Sequence, residues 1–543
     1  MKTLLVILVA LFAATASAQD FEPIYKYRVQ LRDKKNNPFS LKHPEDFLSE
    51  KSIERRRRQH LKLDETDLPI TPTYIMQVGD CGVQVVNQSK WNNTLVVQTT
   101  DPSVMEQVEA LPFVTGVRCV ATYSEPYAPK KVDRFSLIKK EEPVEDEEEV
   151  TENNEAGREA LMAAAKAKAM EELQEMLDAN PNLSAARRDS IEKAFLCVTN
   201  FMIENMASNS DDEEEAEEYE EEDAEEVVAE EDVEDETIDS TEAYYGPGWN
   251  QVSMLGVEAL HARGYKGEGM TIAICDGGFY NADIIPLLSN VRILGTRDFV
   301  LPGCNVFGED SHGMMVLSCM AANQPETLVG TAPGAQFWLL RSEDSYTEQL
   351  VEEDNWCAAI EFADSVGVDL VNTSLGYTKF DNPDDNVRYW EQDGKTHIMS
   401  RSASMAASKG MVLCQSAGNE GDSEWKRIGV PADADNILTV GALKPNGVNT
   451  YFSSLGNTAD GRIKPDVCAQ GQNCYVTDTD GTLTQVAGTS FSSPIMCGAV
   501  ACFWQAHPYL TASQIMALVR ARGDNREHPD NVFGYGTPNL GAE

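Results

Sequence analysis

Residues 486–494 read VAGTSFSSP, and the apolar run Ile495 to Ala506 follows them directly. Because proline is well tolerated only in the first turn of a helix, Pro494 indicates that this helix begins close to Ser490. Backbone N–H groups at a helix start favour developing negative charge, and Gly488 lets a bound peptide approach the backbone closely. Ser490 can serve as a nucleophile if a base takes its proton; the alternative is a plain helix cap.

Three other segments place polar side chains at a helix start or after an apolar strand. His312 opens the apolar run Met314 to Ala322, and its imidazole titrates near neutral pH. Asp276 ends the apolar strand Thr271 to Cys275, and open α/β folds place their sites at such strand ends. Asn419 has an amide that can donate to an oxyanion. Taken singly, each has a plainer explanation, as a cap, a turn before glycine or a Gly-Asn turn.

The four residues are more informative together than singly. Asp276 precedes His312 by 36 residues, and His312 precedes Ser490 by 178 residues. This Asp, His, Ser order is that of subtilisin and differs from the orders in chymotrypsin and the α/β-hydrolases. Over residues 244–540 the sequence resembles the subtilase family in the stretches IAICDGGF, DSHGMMV, VNTSLGY, SAGNEG and VAGTSFSSP. No G-x-S-x-G elbow is present, which argues against an esterase or lipase.

The resemblance implies a role for each matched residue. Ser490 would be the nucleophile, and His312 would be the base and then the acid. Asp276 would orient His312, and Asn419 would donate to the oxyanion. The backbone of two segments would bind the substrate as added strands. These substrate-binding residues are Ser374, Leu375, Gly376, Ser416, Ala417 and Gly418.

The implied activity is a serine endopeptidase that acts on protein or peptide substrates and needs no cofactor for its chemistry. Structural calcium is common in the family, but no ligand set can be assigned in this sequence. Three positions depart from the family pattern, namely Gly277, Met314 and Phe491. None removes a catalytic group, although Met314 raises a question about pocket shape. A non-catalytic binding protein on the same scaffold is the main alternative.

Residues 244–543 alternate apolar strand-like runs with helical patterns, which favours βαβ units and a mainly parallel sheet covered on both faces. The family resemblance makes this a subtilisin-like, doubly wound α/β catalytic domain. Predicted strands lie at 270–275, 336–340, 369–372, 411–415 and 437–441, and predicted helices at 313–322, 350–366, 399–409 and 491–506.

Residues 19–125 resemble the inhibitory propeptide of subtilases. Strands are predicted at 25–31, 82–88, 93–99 and 114–122, and helices at 44–60 and 101–111. This β-α-β-β-α-β order is that of a small α+β ferredoxin-like domain. The resemblance implies an intramolecular chaperone and inhibitor, so the chain's own propeptide is an expected partner. Within the first helix, Arg55 to Arg58 is predicted to be a solvated face, with binding to an acidic partner as the alternative.

Residues 126–243 form an insert of different composition. Ala156 to Leu177 and Ser184 to Met206 predict a helical hairpin. Residues 211–236 hold 19 Asp or Glu among 26 positions, which predicts a disordered, solvated linker, with calcium binding or capture of a basic partner as the alternatives. This run supplies 19 negative charges of a chain whose net charge is −45 at pH 7. We expect no nucleic-acid partner, because phosphate backbones attract Lys and Arg.

Residues 1–18 predict a secretory signal peptide, with Lys2, the apolar stretch Leu4 to Ala14 and the small residues Ala16-Ser17-Ala18. This stretch is too short to span a bilayer, and no other apolar run is long enough. We therefore expect a secreted protein, either periplasmic or extracellular, with no membrane span.

Twelve cysteines in an exported protein suggest disulfides. Cys468 and Cys474 are the best candidates for a local pair. Cysteines in apolar stretches are instead predicted to be small buried side chains, and these are Cys275, Cys319, Cys414 and Cys497.

Overall fold

The computed structural model describes residues 22–125 and 240–542. The predicted signal peptide, helical hairpin and acidic linker lie outside these ranges, so those predictions are not addressed by the structure. Within these ranges, no helix is both long enough and apolar enough to cross a bilayer.

The N-terminal module is a four-stranded antiparallel sheet with three helices. Its strands are β1 (Ile24–Leu31), β2 (Gln84–Ser89), β3 (Thr94–Thr99) and β4 (Val114–Tyr123), and its helices are α1 (Glu50–Arg58), α2 (Pro72–Asp80) and α3 (Met105–Glu109). The strand order β2-β3-β1-β4 and the antiparallel pairing confirm the predicted ferredoxin-like α+β module.

The predicted helix 44–60 is interrupted, and one helix was missed. A 3-10 turn at Pro44–Asp46 is separate from α1, which begins after Ser49, whose hydroxyl accepts a hydrogen bond from Ser52 N at 3.1 Å. The missed helix α2 is nine residues long and begins at Pro72. A segment this short contains too few helical periods for its apolar pattern to be recognised.

The C-terminal part contains a seven-stranded parallel sheet with the order β13-β12-β11-β10-β5-β9-β6. These strands are β5 (Thr271–Asp276), β6 (Arg292–Asp298), β9 (Gln336–Arg341), β10 (Leu370–Thr373), β11 (Val412–Ser416), β12 (Leu438–Leu443) and β13 (Val467–Gln470). Two small antiparallel pairs are β7 (Asn323–Gln324) with β8 (Leu328–Val329), and β14 (Cys474–Thr477) with β15 (Leu483–Val486).

Eight α-helices accompany this sheet in residues 240–542. They are α4 (Ser240–Tyr245), α5 (Trp249–Ser253), α6 (Val257–Ala262), α7 (His312–Ala321), α8 (Val351–Val366), α9 (Ile398–Ser408), α10 (Thr489–Ala506) and α11 (Ala512–Ala521). Helices α7 and α10 lie in one apolar core and α8 and α9 in another, so both faces of the sheet are covered, as predicted for a doubly wound α/β fold.

The five predicted strands are the five central strands of the sheet, and the two missed strands lie at its edges. Strand β6 has mostly exposed or half-exposed residues and lacks the continuous apolar run of a buried parallel strand. The adjacent strands β5, β10 and β11 are paired so that Cys275 lies opposite Thr373 and Thr373 opposite Gln415. Their carboxyl ends therefore meet at one edge of the sheet.

The prediction that Arg55 to Arg58 forms a solvated face is wrong for its first two residues. Arg55 and Arg56 are only 2% and 3% exposed, and both bind the carboxylate of Asp364 in α8. The alternative, an acidic partner, is correct, and that partner belongs to the same chain. Composition alone could not reveal this, because Asp364 lies more than 300 positions away in the sequence.

The predicted Cys468–Cys474 disulfide is also wrong. Both thiols are free and buried. Cys468 Sγ instead contacts the carbonyl of Phe533 at 3.5 Å, and Cys474 Sγ contacts the carbonyl of Gln470 at 3.5 Å. The cysteines predicted to be buried side chains are confirmed as free and buried; they are Cys275, Cys319, Cys414 and Cys497.

Candidate active site

Asp276 and His312 form a hydrogen-bonded pair at the carboxyl edge of the sheet. Asp276 is the last residue of β5 and is 1% exposed, whereas His312 is the first residue of α7. His312 Nδ1 lies 2.9 Å from Asp276 Oδ1 and 3.1 Å from Oδ2. A carboxylate in this position holds Nδ1 as the protonated nitrogen and leaves Nε2 free to accept a proton.

Close packing of two glycines fixes this pair. A Cβ atom on Gly313 would lie 2.4 Å from the carbonyl oxygen of Gly278 and 2.9 Å from Cβ of Asp276. The start of α7 can therefore approach the end of β5 only because residue 313 has no side chain. Met314, the departure that raised a question about pocket shape, is fully buried in the apolar core, so it packs behind the cleft.

Ser490 lies in the first turn of α10, at the edge of a cleft of about 430 Å³ that His312 also lines. Its hydroxyl donates a hydrogen bond to the carbonyl of Ser374 at 3.2 Å. The ring of Phe491, the next residue, lies 5.8 Å from the imidazole of His312 between ring centroids. The serine and the imidazole thus line the same cleft, while the serine hydroxyl donates to a backbone carbonyl.

Asn419 is held by the residue that precedes Ser490. Its carboxamide oxygen accepts hydrogen bonds from the backbone N–H of Thr489 at 2.9 Å and from the Thr489 hydroxyl at 3.0 Å. Because Thr489 occupies the oxygen, the amide nitrogen remains as a donor for a group in the cleft. The Thr489 hydroxyl also accepts from Gly418 N at 3.1 Å, which ties the 416–419 segment to α10.

A buried polar network links the 374–376 segment to the same helix. Ser374 Oγ donates to the carbonyl of Ser490 at 2.9 Å and accepts from Asn372 Nδ2 at 2.9 Å. Ser493 Oγ donates to Asn372 Oδ1 at 2.8 Å. The sequence analysis assigned no role to Thr489, Asn372 or Ser493, although they lie in the stretches VNTSLGY and VAGTSFSSP. The signal that could have found them is a polar residue within an apolar strand or helix, since a buried polar group needs a hydrogen-bond partner.

The structure brings the predicted site residues together. Asp276 lies behind His312, and the other nine line the cleft: His312, Ser490, Asn419, Ser374, Leu375, Gly376, Ser416, Ala417 and Gly418. Gln415 Nε2 donates to the carbonyl of Leu375 at 2.5 Å, so a hydrogen bond joins the 374–376 segment to the residue that precedes the 416–418 segment.

The electrostatics of the cleft are dominated by carboxylates. Burial alone lowers the pKa of His312, but the charge and hydrogen bond of Asp276 outweigh it, with Glu343 and Asp310 adding to them, and raise this pKa to about 9. Burial and the nearby Asp276 charge raise the pKa of Glu343 to about 8. Glu343, Glu348 and Glu352 bring one oxygen each within 4.8 Å of one another, and among the described residues they are the set that could hold a cation.

Comparison with known proteins points to one family. A model of the subtilase family matches residues 267–536, and a model of the peptidase S8 propeptide domain of Bacteroidota matches residues 26–134. Subtilisin DY from Bacillus licheniformis is 29% identical over 297 residues, which cover 54% of this chain and 96% of that protein. Subtilisin E from Bacillus subtilis (strain 168) is 28% identical over 289 residues, covering 52% and 68%.

Among solved structures, the MycP3 protease from the type VII (ESX-3) secretion system is similar at lower identity. It aligns with 55% of this chain and 90% of its own, with 19% sequence identity and a TM-score of 0.43.

Proposed function

Because this chain belongs to the subtilase family and is a subtilisin-like serine peptidase with an S8 propeptide domain, we propose that it is a secreted endopeptidase made as an autoinhibited precursor. The observation that carries the proposal is the pairing of His312 with Asp276 in the cleft that holds Ser490. Secretion is supported by the signal-like residues 1–18.

In the proposed mechanism, Ser490 Oγ attacks the carbonyl carbon of the scissile bond while His312 Nε2 takes its proton. The imidazolium, stabilised by Asp276, then gives that proton to the leaving amine, and a water molecule activated in the same way hydrolyses the acyl-enzyme. The hydroxyl must leave the carbonyl of Ser374 to do this, which is a rotation about one side-chain bond.

Asn419 is proposed as a donor to the oxyanion that forms in this step. Replacing Asn419 by leucine is expected to lower kcat by about 10²–10³-fold, which is the scale measured for the corresponding loss in subtilisin itself. KM should change little, because the bond is made mainly in the transition state. Steady-state kinetics on a peptide substrate check this. An unchanged kcat would remove Asn419 from the mechanism.

The segments 374–376 and 416–418 are proposed to bind the substrate backbone as strands on either side, since both line the cleft beside Ser490. Extended backbone recognition of this kind fits unfolded polypeptide better than a small ester. Purified protein should therefore cleave casein and longer peptides faster than simple esters. A faster rate on esters, with no cleavage of casein, would favour a different hydrolase.

The raised pKa of His312 predicts how activity changes with pH. Only neutral imidazole can accept the proton, so kcat/KM should rise as the pH rises through this pKa. The midpoint should lie above the ordinary value of about 6.5, because Asp276, Glu343 and Asp310 favour the charged imidazole. Glu343→Gln removes one of these charges and should move the midpoint to lower pH, whereas the exposed control Glu527→Gln should not. Equal midpoints in all three proteins would contradict this electrostatic account.

Autoinhibition is supported by where the propeptide module ends. The backbone N–H of Thr122, near the end of β4, donates to Gln349 Oε1 at 2.7 Å, and Gln349 is the neighbour of Glu348 in the cleft wall. The chain therefore leaves the propeptide beside the proposed substrate site. The precursor should be inactive on casein until residues 19–125 are released, and activity with that segment still bound would contradict this part of the proposal.

A further inference from the structure

Apart from His312, the ionisable side chains that line the cleft are all carboxyl groups. Asp310, Glu343, Glu348 and Glu420 line the cleft, and no lysine or arginine of the described residues does. Glu352, which is fully buried, lies behind Glu343 and Glu348, with one oxygen of each within 4.8 Å of the others. We call Glu343, Glu348 and Glu352 the acidic wall.

No lysine or arginine of residues 22–125 and 240–542 forms an ion pair with the acidic wall, although His312 and Lys26 act on Glu343 and Glu352 from a greater distance. Glu352 accepts hydrogen bonds from Gln349 N at 3.0 Å and from the Tyr377 hydroxyl at 3.2 Å, both neutral donors. Burial, together with neighbouring carboxylates, raises the pKa of Glu348 to about 7 and that of Glu352 well above its ordinary value. A cationic group in the cleft would remove this electrostatic cost, because an opposite charge favours the ionised carboxylates.

The position of the acidic wall makes it relevant to substrate choice. Its residues Glu343 and Glu348 line the same cleft as Ser490 and His312, so a peptide whose backbone binds segments 374–376 and 416–418 passes beside them. A cleft lined by charges of one sign concentrates ligands of the opposite sign. Lysine and arginine side chains therefore have a favourable place to bind, and aspartate and glutamate side chains are repelled.

The chain itself supplies a polypeptide of matching charge at this position. Strand β4 ends at Tyr123, next to Thr122, which contacts Gln349, the sequence neighbour of the cleft residue Glu348; residues 126–140 read PYAPKKVDRFSLIKK. This segment has five Lys or Arg and one Asp, and the strongly acidic sequence begins only at Glu141. Lys130 is seven residues beyond Tyr123, a span that an extended chain covers in about 25 Å.

We propose that the acidic wall makes this peptidase select substrates with lysine or arginine side chains, and that its own segment 126–140 is the first such substrate. The proposal rests on the endopeptidase function and adds a substrate class to it. Hydrolysis of one peptide bond in this segment consumes one water molecule and leaves a new carboxyl end and a new amino end. The propeptide is thereby separated from the rest of the chain.

The first experiment compares two peptides on the mature enzyme, prepared from the full chain and counted by active-site titration. One peptide has the sequence of residues 126–140, and the other replaces its five Lys and Arg by Gln. We expect kcat/KM to be about tenfold to a hundredfold higher for the cationic peptide, the effect of a hydrogen bond to a charged group. Glu348→Gln should lower this ratio at least several-fold, whereas the exposed control Glu527→Gln should leave it as in wild type.

The ratio between peptides separates specificity from catalysis. Equal rates on the two peptides, with both cleaved, would overturn the acidic-wall proposal and leave the endopeptidase function intact. Cleavage of neither peptide, together with no cleavage of casein, would instead contradict the endopeptidase function. If Glu348→Gln does not fold, the wild-type ratio should still fall as salt is raised, since salt screens the attraction. A salt-independent ratio would count against the proposal.

Two further outcomes complete the test. The assay is repeated with a chelator and with added calcium, because three carboxylates can also bind a divalent cation. Loss of the preference with calcium and its return with the chelator would identify a metal site and overturn the proposal.

Mass spectrometry of the matured full chain should find a new terminus within residues 127–141, with Ser490→Ala left uncut. A first cut outside this segment would refute the role assigned to it.

Discussion

Replacing Ser490 by alanine is expected to reduce peptide hydrolysis by about a million-fold. Loss of the serine or the histidine of a subtilisin triad has an effect of about 2 × 10⁶ on kcat, and we adopt that measured scale for this chain. The physical reason is that Ser490 is the proposed nucleophile and lines the same cleft as His312, the proposed base. The hydroxyl of Thr489, the preceding residue, is already engaged by Asn419 and Gly418. The measurement is turnover of an internally quenched peptide by the purified proteins.

The control for Ser490→Ala is a serine in the same helix that does not line the cleft. Ser492 is fully buried and donates to the carbonyl of Thr489 at 3.0 Å, so Ser492→Ala should alter packing but leave most of the activity. His312→Ala should be about as damaging as Ser490→Ala, and the double variant should be no worse than either, because the two groups act in one step. Additive losses would mean that they act independently.

The largest expected effect on stability comes from Asp364, where the propeptide module meets α8. Asp364 is fully buried, and its carboxylate binds Arg55, Arg56 at 2.9 Å and Lys90 at 3.4 Å. Burial alone raises the pKa of Asp364, but these three cations outweigh it and hold the pKa well below its usual range. Asp364→Asn leaves the buried Arg55 guanidinium without its carboxylate partner, while Arg56 keeps Asp67 at 2.7 Å, and should destabilise the precursor by about 3–5 kcal/mol.

This effect is measured by urea unfolding of the full chain in a Ser490→Ala background, which prevents self-cleavage. The matched control is Asp385→Asn, which breaks a pair with Arg118 whose side chain is 55% exposed, and which should cost at most about 1 kcal/mol. The difference between the parent and Asp364→Asn should be present at neutral pH. It should shrink as the pH falls below about 4, where the carboxyl of the unfolded chain becomes protonated. Equal urea midpoints for the two variants would contradict the stabilising role assigned to the ion pairs of Asp364.

The central strands and the site motifs could be predicted from the sequence because each is marked by a pattern of neighbouring residues. Strands β5, β10 and β11 are buried on both faces and appear as apolar runs, and parallel strands end at a common edge. Asp276, Ser374 and Asn419 lie at or just beyond the ends of these runs, so the sequence alone made them candidates for one site. Edge strand β6 was missed because its residues are largely exposed and carry no such pattern.

Features that depend on distant partners could not be predicted. Arg55 and Arg56 are buried against Asp364 of α8, and Arg56 also against Asp67, whereas a run of four arginines is otherwise typical of a solvated surface. Cys468 and Cys474 are close in sequence, but each thiol packs into the interior, so proximity in the chain was a poor guide to pairing. The acidic wall was missed for a different reason: its three glutamates are close in sequence, but their spacing does not show that the turn between β9 and α8 brings their carboxyl groups together.

The central claim is that Ser490, activated by His312, is the reactive nucleophile of this peptidase. It is tested most directly by treating the matured protein with a fluorophosphonate probe and locating the label by mass spectrometry. The account predicts one labelled residue, Ser490, and loss of that label in His312→Ala even though the serine is still present. Labelling of another residue, or equal labelling of Ser490 in His312→Ala, would contradict it.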